Sequence, residues 1–476
     1  MGETKNNEKK QLKPITNKLL WIFAVGQFGW SLLSGVVSNW MVYYYKGTPT
    51  PENPNTGVFA SGITQNPIFF KLTLFGLVLA VGRIFDAVTD PLIAGWSDRA
   101  GYKGGRRIPF MRAMAIPFAL VMIALFTIPQ TSSVALNDTA LFVLLMVFYL
   151  FMTMFCTPYT ALIAELGDTQ QHRINVSTYI SFTFIVGQSI SFLLPNVAGA
   201  LEGAFGQKGS IRMAVAIMGT IACIAMLIPS FYIKERDYID SKPSETKPFK
   251  SLIQTFSNGQ FRRFVYSDVI YFFALTLFQT GLPYYETKLM EIPDTMTFTL
   301  TATMTAISVC LYPVINMLAK KIGKKSLIIT GFFTYCVVFL ITSICGVGIQ
   351  WGFIVAVSAA IPMAILGILP QACVADVAEC TRLETGEDRS GMFFAARTFA
   401  FKMGQALAMV VFTTITAMDT EENLAAGLVT IEAIKKSYRT TAAFAFVTCL
   451  IGAIIFFAYN EKKLLGRIKE LKGEEA

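Results

Sequence analysis

The chain has 476 residues, of which 54% are hydrophobic and only 15% charged, against about 25% charged in an ordinary globular domain. So apolar a chain is not disordered, and it has too little polar surface to cover the roughly three water-soluble cores that its length would allow. The net charge of +9 would suit a nucleic-acid binder, but the basic residues are spread between apolar blocks, so they read first as a topology signal and no nucleic-acid partner is expected.

Segments of about 20 apolar residues, long enough to cross a bilayer, recur along the whole chain. Twelve are expected, at residues 17–45, 69–96, 109–129, 138–164, 176–200, 211–233, 264–288, 296–318, 326–346, 351–378, 392–418 and 438–459. Residues 1–16 are polar and lead into a span too long for a signal peptide, so they read as a retained cytoplasmic tail. Residues 234–263 are the one long polar break, which divides the chain into a bundle at 17–233 and a bundle at 264–459, with a C-terminal tail at 460–476. An even number of spans puts both termini on one side. The loops and tails on that side carry 29 Lys and Arg, the opposite loops seven, so the tail side is expected to be cytoplasmic in a plasma (inner) membrane.

The two halves resemble each other. Phe182 to Gln188 recurs as Phe399 to Gln405, Arg173 recurs as Arg389, and the basic loop from Asp98 to Arg107 has a counterpart in Lys320 to Lys325, all at similar offsets. Two related six-helix bundles with a site between them at mid-membrane is the arrangement of a secondary transporter. The expected fold is therefore all-α, with twelve transmembrane helices in two pseudo-symmetric bundles.

Ionisable residues inside spans cost about 2.5–3.5 kcal/mol each on insertion scales, which makes each one a functional candidate. The second span contains Arg83, Asp86 and Asp90, which a helix of 3.6 residues per turn places on one face. Two acids one turn apart do not readily both ionise in a low dielectric without a cation between them, which is the chemistry of a coupling site for Na⁺ or H⁺. The competing account is a structural Arg83–Asp86 pair, with Asp90 near the interface beside a Pro91 kink. In the eleventh span, Lys402 is too deep to reach the interface and should find an anion such as the Asp86/Asp90 pair, whereas the shallower Arg397 has Asp376 or Glu379 within reach. Trp30 lies near the middle of the first span and is a candidate pocket wall. The eight Cys show no metal-ligand or disulfide spacing, and the only His, His172, falls in a loop. With no Gly-x-Ser-x-Gly and no metal cluster, a membrane-embedded enzyme is disfavoured and no cofactor is expected beyond the coupling ion.

The motif Arg83-x-x-Asp86-Ala-x-x-Asp90-Pro91-x-x-x-Gly95, with Asp98-Arg99, Gly105-Arg106-Arg107-x-Pro109-Phe110, Pro158-Tyr-x-Ala-Leu-x-x-Glu165 and the run from Thr385-Gly386 to Lys402-x-Gly404, resembles the signature of the glycoside–pentoside–hexuronide:cation symporters. These are the melibiose permease relatives within the major facilitator superfamily. The resemblance implies that Asp86, Asp90 and Thr153 form the cation site, which is a Na⁺ site if coupling is to sodium, and that Lys402 links it to the sugar site, with Arg83 beside it. Where melibiose permease has a Lys-Asp pair in the first span this sequence has Trp30-Ser31. The fourth-span Asp matches Cys156, its Trp matches Thr160, and a fifth-span Arg matches Ser181. Trp30, Ser31, Cys156, Thr160 and Arg397 are thus the expected substrate residues. With two pocket acids lost and Arg397 gained, a neutral or anionic substrate such as a uronide is favoured over an α-galactoside. The same family pattern occurs in animal lysophospholipid transporters, so an amphiphile is the alternative substrate. Asp98, Arg106 and Arg107 are expected gating residues, with the basic loops as cytoplasmic latches that find acids in neighbouring loops.

Overall fold

The structure, a computed structural model, describes residues 13–46, 56–64, 67–69, 72–100, 102, 104–127, 133–166, 170–238, 255–385, 390–417, 419, 423–424 and 426–472. Six long helices make the first half: α1 (Asn17–Tyr45), α2 (Leu74–Arg99), α3 (Ile108–Thr127), α4 (Val134–Leu166), α5 (Gln170–Ser191) and α6 (Leu194–Tyr232). After the short α7 (Glu235–Tyr238) come α8 (Gly259–Tyr284), α9 (Thr297–Ile322), α10 (Lys324–Ile344), α11 (Ile349–Thr385), α12 (Ser390–Ile415), α13 (Ile431–Phe456) and the short α14 (Glu461–Lys472). A π-helical turn, Tyr285–Leu289, extends α8. The loop before α2 carries two short antiparallel strands, β1 (Pro67–Phe69) and β2 (Leu72–Thr73). Thr16, Thr73, Asn258 and Thr430 cap α1, α2, α8 and α13 through side-chain oxygens that accept backbone N–H groups.

Among the described residues, twelve helices of membrane-spanning length overlap the twelve expected spans, and the largest change of boundary falls between the fifth and the sixth. The expected break at residues 201–210 is helical, and the chain turns instead at Phe192–Leu193. Pro195 lies in the first turn of α6, where its missing N–H costs nothing. Gly206 absorbs the polar stretch with a backbone break inside the helix, at φ 68°. By hydropathy alone α2 is the exception among the twelve: it does not appear among the apolar segments because of its charges.

The helices pack in the same pattern in each half. In the first, α1 lies against α5 and α6, α4 against α2 and α3, and α3 against α6. In the second, α8 lies against α12 and α13, α11 against α9 and α10, and α10 against α13. The sequence repeat marks one of these equivalent crossings. A Cβ at Gly187 on α5 would stand 2.7 Å from the carbonyl oxygen of Phe28 on α1, and one at Gly404 on α12 would stand 2.5 Å from that of Val269 on α8. Each glycine lets two backbones approach where lipid offers no hydrophobic force to join helices. Between the halves, α2 packs along α12, α1 meets α8, and α5 touches α9 only briefly.

Gly187→Val and Gly404→Val should each lower the melting temperature of the detergent-solubilised protein by several degrees, at a cost of roughly 1–3 kcal/mol from overpacking. Gly199→Val, at a site with no neighbouring atom within 4 Å, should leave it unchanged.

Candidate functional site

The interface between α2 and α12 carries charges at its centre. Lys402 on α12 places Nζ 2.9 Å from Asp86 Oδ2 and 2.6 Å from Asp90 Oδ2 on α2. Its contact with Asp90 is an aligned hydrogen bond. Its contact with Asp86 is an ion pair without that alignment, which leaves Asp86 Oδ2 with no hydrogen-bond donor. Thr153 on α4 donates to Asp86 Oδ1 at 2.8 Å, and Thr157, one turn on, donates weakly to Asp90 Oδ1 at 3.5 Å. Thr89 stands 3.5 Å from Thr153. The Asp86 side chain is fully buried, while that of Asp90 is 25% exposed, so the two acids differ in their access to solvent.

Arg83 departs from expectation. Its guanidinium donates to Ser38 on α1 at 3.1 Å and lies over the Tyr149 ring at 5.2 Å, and no ion pair joins it to Asp86. The shared helix face was read correctly, but a side chain as long as Arg reaches past its own helix to a neighbour. Arg83 thus ties α2 to α1 and α4 within the first half, and it stands outside the Lys402 group.

Arg397 is corrected more strongly. It forms a two-toothed ion pair with Asp268 on α8, at 2.7 and 3.1 Å. Both side chains are buried, and the guanidinium lies 5.5 Å from the Phe272 ring centre. The expected partners are engaged elsewhere, Asp376 with Lys324 and Glu379 with Arg382. The Arg397 charge is therefore balanced inside the second half, which removes one of the two grounds for an anionic substrate. Asp268 was missed by the sequence reading, although an acid inside a span is itself the signal.

Of the other expected substrate residues, Ser31 is fully buried, donates to the Phe28 carbonyl, and packs on Gly187. It is a helix-packing residue and lines no pocket. Trp30, next to it, is only partly buried, stands 5.8 Å from the Phe184 ring, and keeps an indole N–H without an acceptor. Cys156 and Thr160 follow Thr153 and Thr157 on one face of α4. Cys156 feels the charges of Asp86, Lys402 and Asp90, and Thr160 is exposed.

The side chain of Asp98 lies outside the described residues, as do those of Arg173 and Arg389. At Arg106 and Arg107 it is the backbone that meets the acid: Glu235 accepts the N–H groups of Arg106, Arg107 and Ile108 at 2.8, 2.8 and 3.0 Å. Glu461 does the same for Lys324 and Lys325, at 3.0 and 2.8 Å. Each carboxylate caps the start of a helix, α3 or α10, where an anion is favoured. Each also sits beside a glycine of positive φ, Gly105 or Gly323. These contacts stay within one half and brace each bundle. Sequence reasoning missed both glutamates, which fall just after the sixth and twelfth spans.

The profile of the family described as MFS/sugar transport protein matches residues 22–462. The chain belongs to that family. Its members are transporters and not enzymes, and the chain is accordingly a multi-pass membrane transporter of the symporter type. It is 23% identical to the uncharacterized symporter YnaJ of Bacillus subtilis over 95% of this chain and 94% of that one. It is 24% identical to the isoprimeverose transporter of Lactiplantibacillus pentosus over 69% of this chain and 63% of that one. The match to the uncharacterized symporter sll1374 of Synechocystis sp., at 34% identity, spans 35% of this chain and about a third (34%) of its length. The fold is that of a solved proton-dependent oligopeptide transporter, with a TM-score of 0.67 at 13% identity, covering 96% of this chain and 100% of that one.

Breaking the Arg397–Asp268 pair from either side leaves a buried charge alone. Arg397→Leu and Asp268→Leu should each destabilise the protein by roughly 3–5 kcal/mol, while the double substitution recovers most of the loss. Thermal unfolding of the three variants in detergent checks this.

Proposed function

We propose that the protein is a cation-coupled symporter of a neutral sugar or glycoside, which works by alternating access between its two halves. The observation that carries the reading is Lys402 set between Asp86 and Asp90 across the boundary of the halves. With formal charges the group sums to −1, so one monovalent cation neutralises it. The donor set of two carboxylates and the hydroxyls of Thr153, Thr157 and Thr89 suits Na⁺, and a carboxylate shared between charges suits H⁺ equally. A cation entering there competes with the Lys402 ammonium for the same oxygens. Freed from one acid, Lys402 becomes a donor for a substrate at the partly exposed Asp90.

Trp30 and Phe184 supply the apolar surface on which a sugar ring rests, and the unpartnered indole N–H supplies a donor to a hydroxyl. The engagement of Arg397 by Asp268 favours a neutral solute over a uronide, and the similarity to an isoprimeverose transporter supports a sugar. Linkage then couples the two: a cation that favours the substrate-binding conformation raises substrate affinity, and substrate raises cation affinity by the same factor. With both termini cytoplasmic in the plasma membrane, inward movement of the cation contributes about 2.3 kcal/mol per 100 mV.

In proteoliposomes, an imposed Na⁺ or pH gradient should drive accumulation of at least one member of a panel of neutral glycosides. Asp90→Asn should reduce that accumulation to the level of a gradient-free control. Uphill uptake that persists in Asp90→Asn would contradict the coupling assignment. A response to lysophospholipids with none to sugars would replace the sugar by an amphiphile.

A further inference from the structure

The end of the molecule away from the termini is sealed between the halves by groups that play no part in the central site. Lys46, at the end of α1, is 2% exposed, and its ammonium donates to the carbonyl oxygen of Thr416 just beyond α12. Thr416 also accepts the backbone N–H of Asp419 at 3.1 Å. The Asp419 carboxylate, itself 2% exposed, is the acid that acts on the Lys46 charge, and it accepts the hydroxyl of Tyr438 on α13. Tyr284, at the end of α8, stacks on Tyr438 at 5.1 Å and returns the link to the first half, where its hydroxyl stands 2.7 Å from the Val42 carbonyl and 2.8 Å from that of Lys46. Nearby, Gly76 on α2 is pressed against Thr413 on α12, and Asn196 on α6 donates to the Thr295 carbonyl at 2.9 Å.

At the opposite end the described hydrogen bonds and ion pairs stay within one half: Lys13 with Asp237, Asn17 with Asn175, Asn258 with Thr381 and Arg467 with Glu384. Trp21, Phe182 and Phe394 are exposed there.

We propose that Lys46 and Tyr284 form the distal gate of the transporter, a clamp that must part for the site to open on the side away from the termini. The inference rests on the alternating-access reading above. The chemistry fits a gate better than a permanent weld. A buried ammonium held by one carbonyl gives up hydration when the gate shuts and regains it when the gate opens, so the shut and open states lie close in free energy. The Tyr284 hydroxyl supplies a directional hydrogen bond that forms only when the ends of α1 and α8 converge, while its stacking on Tyr438 holds it in place within the second half. Lys402 joins α12 to α2, and Lys46 joins the end of α12 to the end of α1, so the central ion pairs and the distal clamp hold α12 to the first half at two levels. Opening needs both to release, which makes the gate sensitive to what occupies the centre.

The full-length protein in lipid nanodiscs, without substrate or gradient, is compared with Tyr284→Phe and Lys46→Met by hydrogen–deuterium exchange. Each variant should exchange roughly fivefold faster at residues 40–46 and 411–417, the size of one net hydrogen bond. Residues 174–185 and 372–384, at the other end, should exchange more slowly as that side closes. Lys46→Arg, which keeps the donor, should restore the parent pattern. Exchange equal to the parent in both variants, or a rise spread evenly along the chain, overturns the gate. The readout needs neither cation nor sugar, so a failure of the coupling assignment leaves it standing and is recognised separately by the uptake experiment.

Discussion

The whole arrangement depends on one ammonium between two carboxylates. Lys402 belongs to the second half of the chain and Asp86 and Asp90 to the first, so the contact that neutralises the most expensive charges in the membrane also joins the moving parts. Three isolated charges at that depth would each cost several kcal/mol. Together they are tolerable, and α2 and α12 are held face to face as a result. On the proposed mechanism the same contact is replaceable, because a small cation can do for the carboxylates what the ammonium does.

The fold surrounding this contact is a repeated one that is symmetric in its packing but not in its closure. The two bundles share helix pairings, glycine crossings at Gly187 and Gly404, and carboxylate caps at Glu235 and Glu461. These features make each bundle a rigid body. Between the bundles the symmetry is broken: α2 runs along α12, while the equivalent pair, α5 and α9, barely meets. On the proposed alternating-access mechanism, this pseudo-symmetric pair with unequal contacts is one conformer, and exchange of the two interfaces gives the other.

Much of this was legible in the sequence, for identifiable reasons. The spans other than α2 follow from hydropathy because the bilayer fixes length, and Asp86, Asp90 and Lys402 stand out because charges violate that pattern. The repeat was visible where glycine is required, since no other residue fits those crossings. Three-dimensional reach was not legible. A helical wheel placed Arg83 with Asp86 but could not show that the guanidinium would go to Ser38 and Tyr149. Asp268 was available as an acid inside a span, yet only the packing of α8 on α12 reveals it as the partner of Arg397. Lys46 and Asp419 lie at segment ends, where a charge ordinarily meets water, and nothing local distinguishes a buried ammonium from a loop lysine. Ser31 was placed in the pocket by matching the acid of the family's first-span Lys-Asp pair, although adjacent residues on a helix point about 100° apart.

In the proposed mechanism Lys402 occupies the place of the coupling cation and competes with it. The affinity of Lys402→Ala for radiolabelled Na⁺, with proton affinity measured in parallel, tests this directly in the purified protein. Loss of the competing ammonium should tighten binding of the coupling cation relative to the unaltered chain. Unchanged or weakened binding of both Na⁺ and H⁺ would show that Lys402 builds the site and does not stand in for its ligand, and the account would fail.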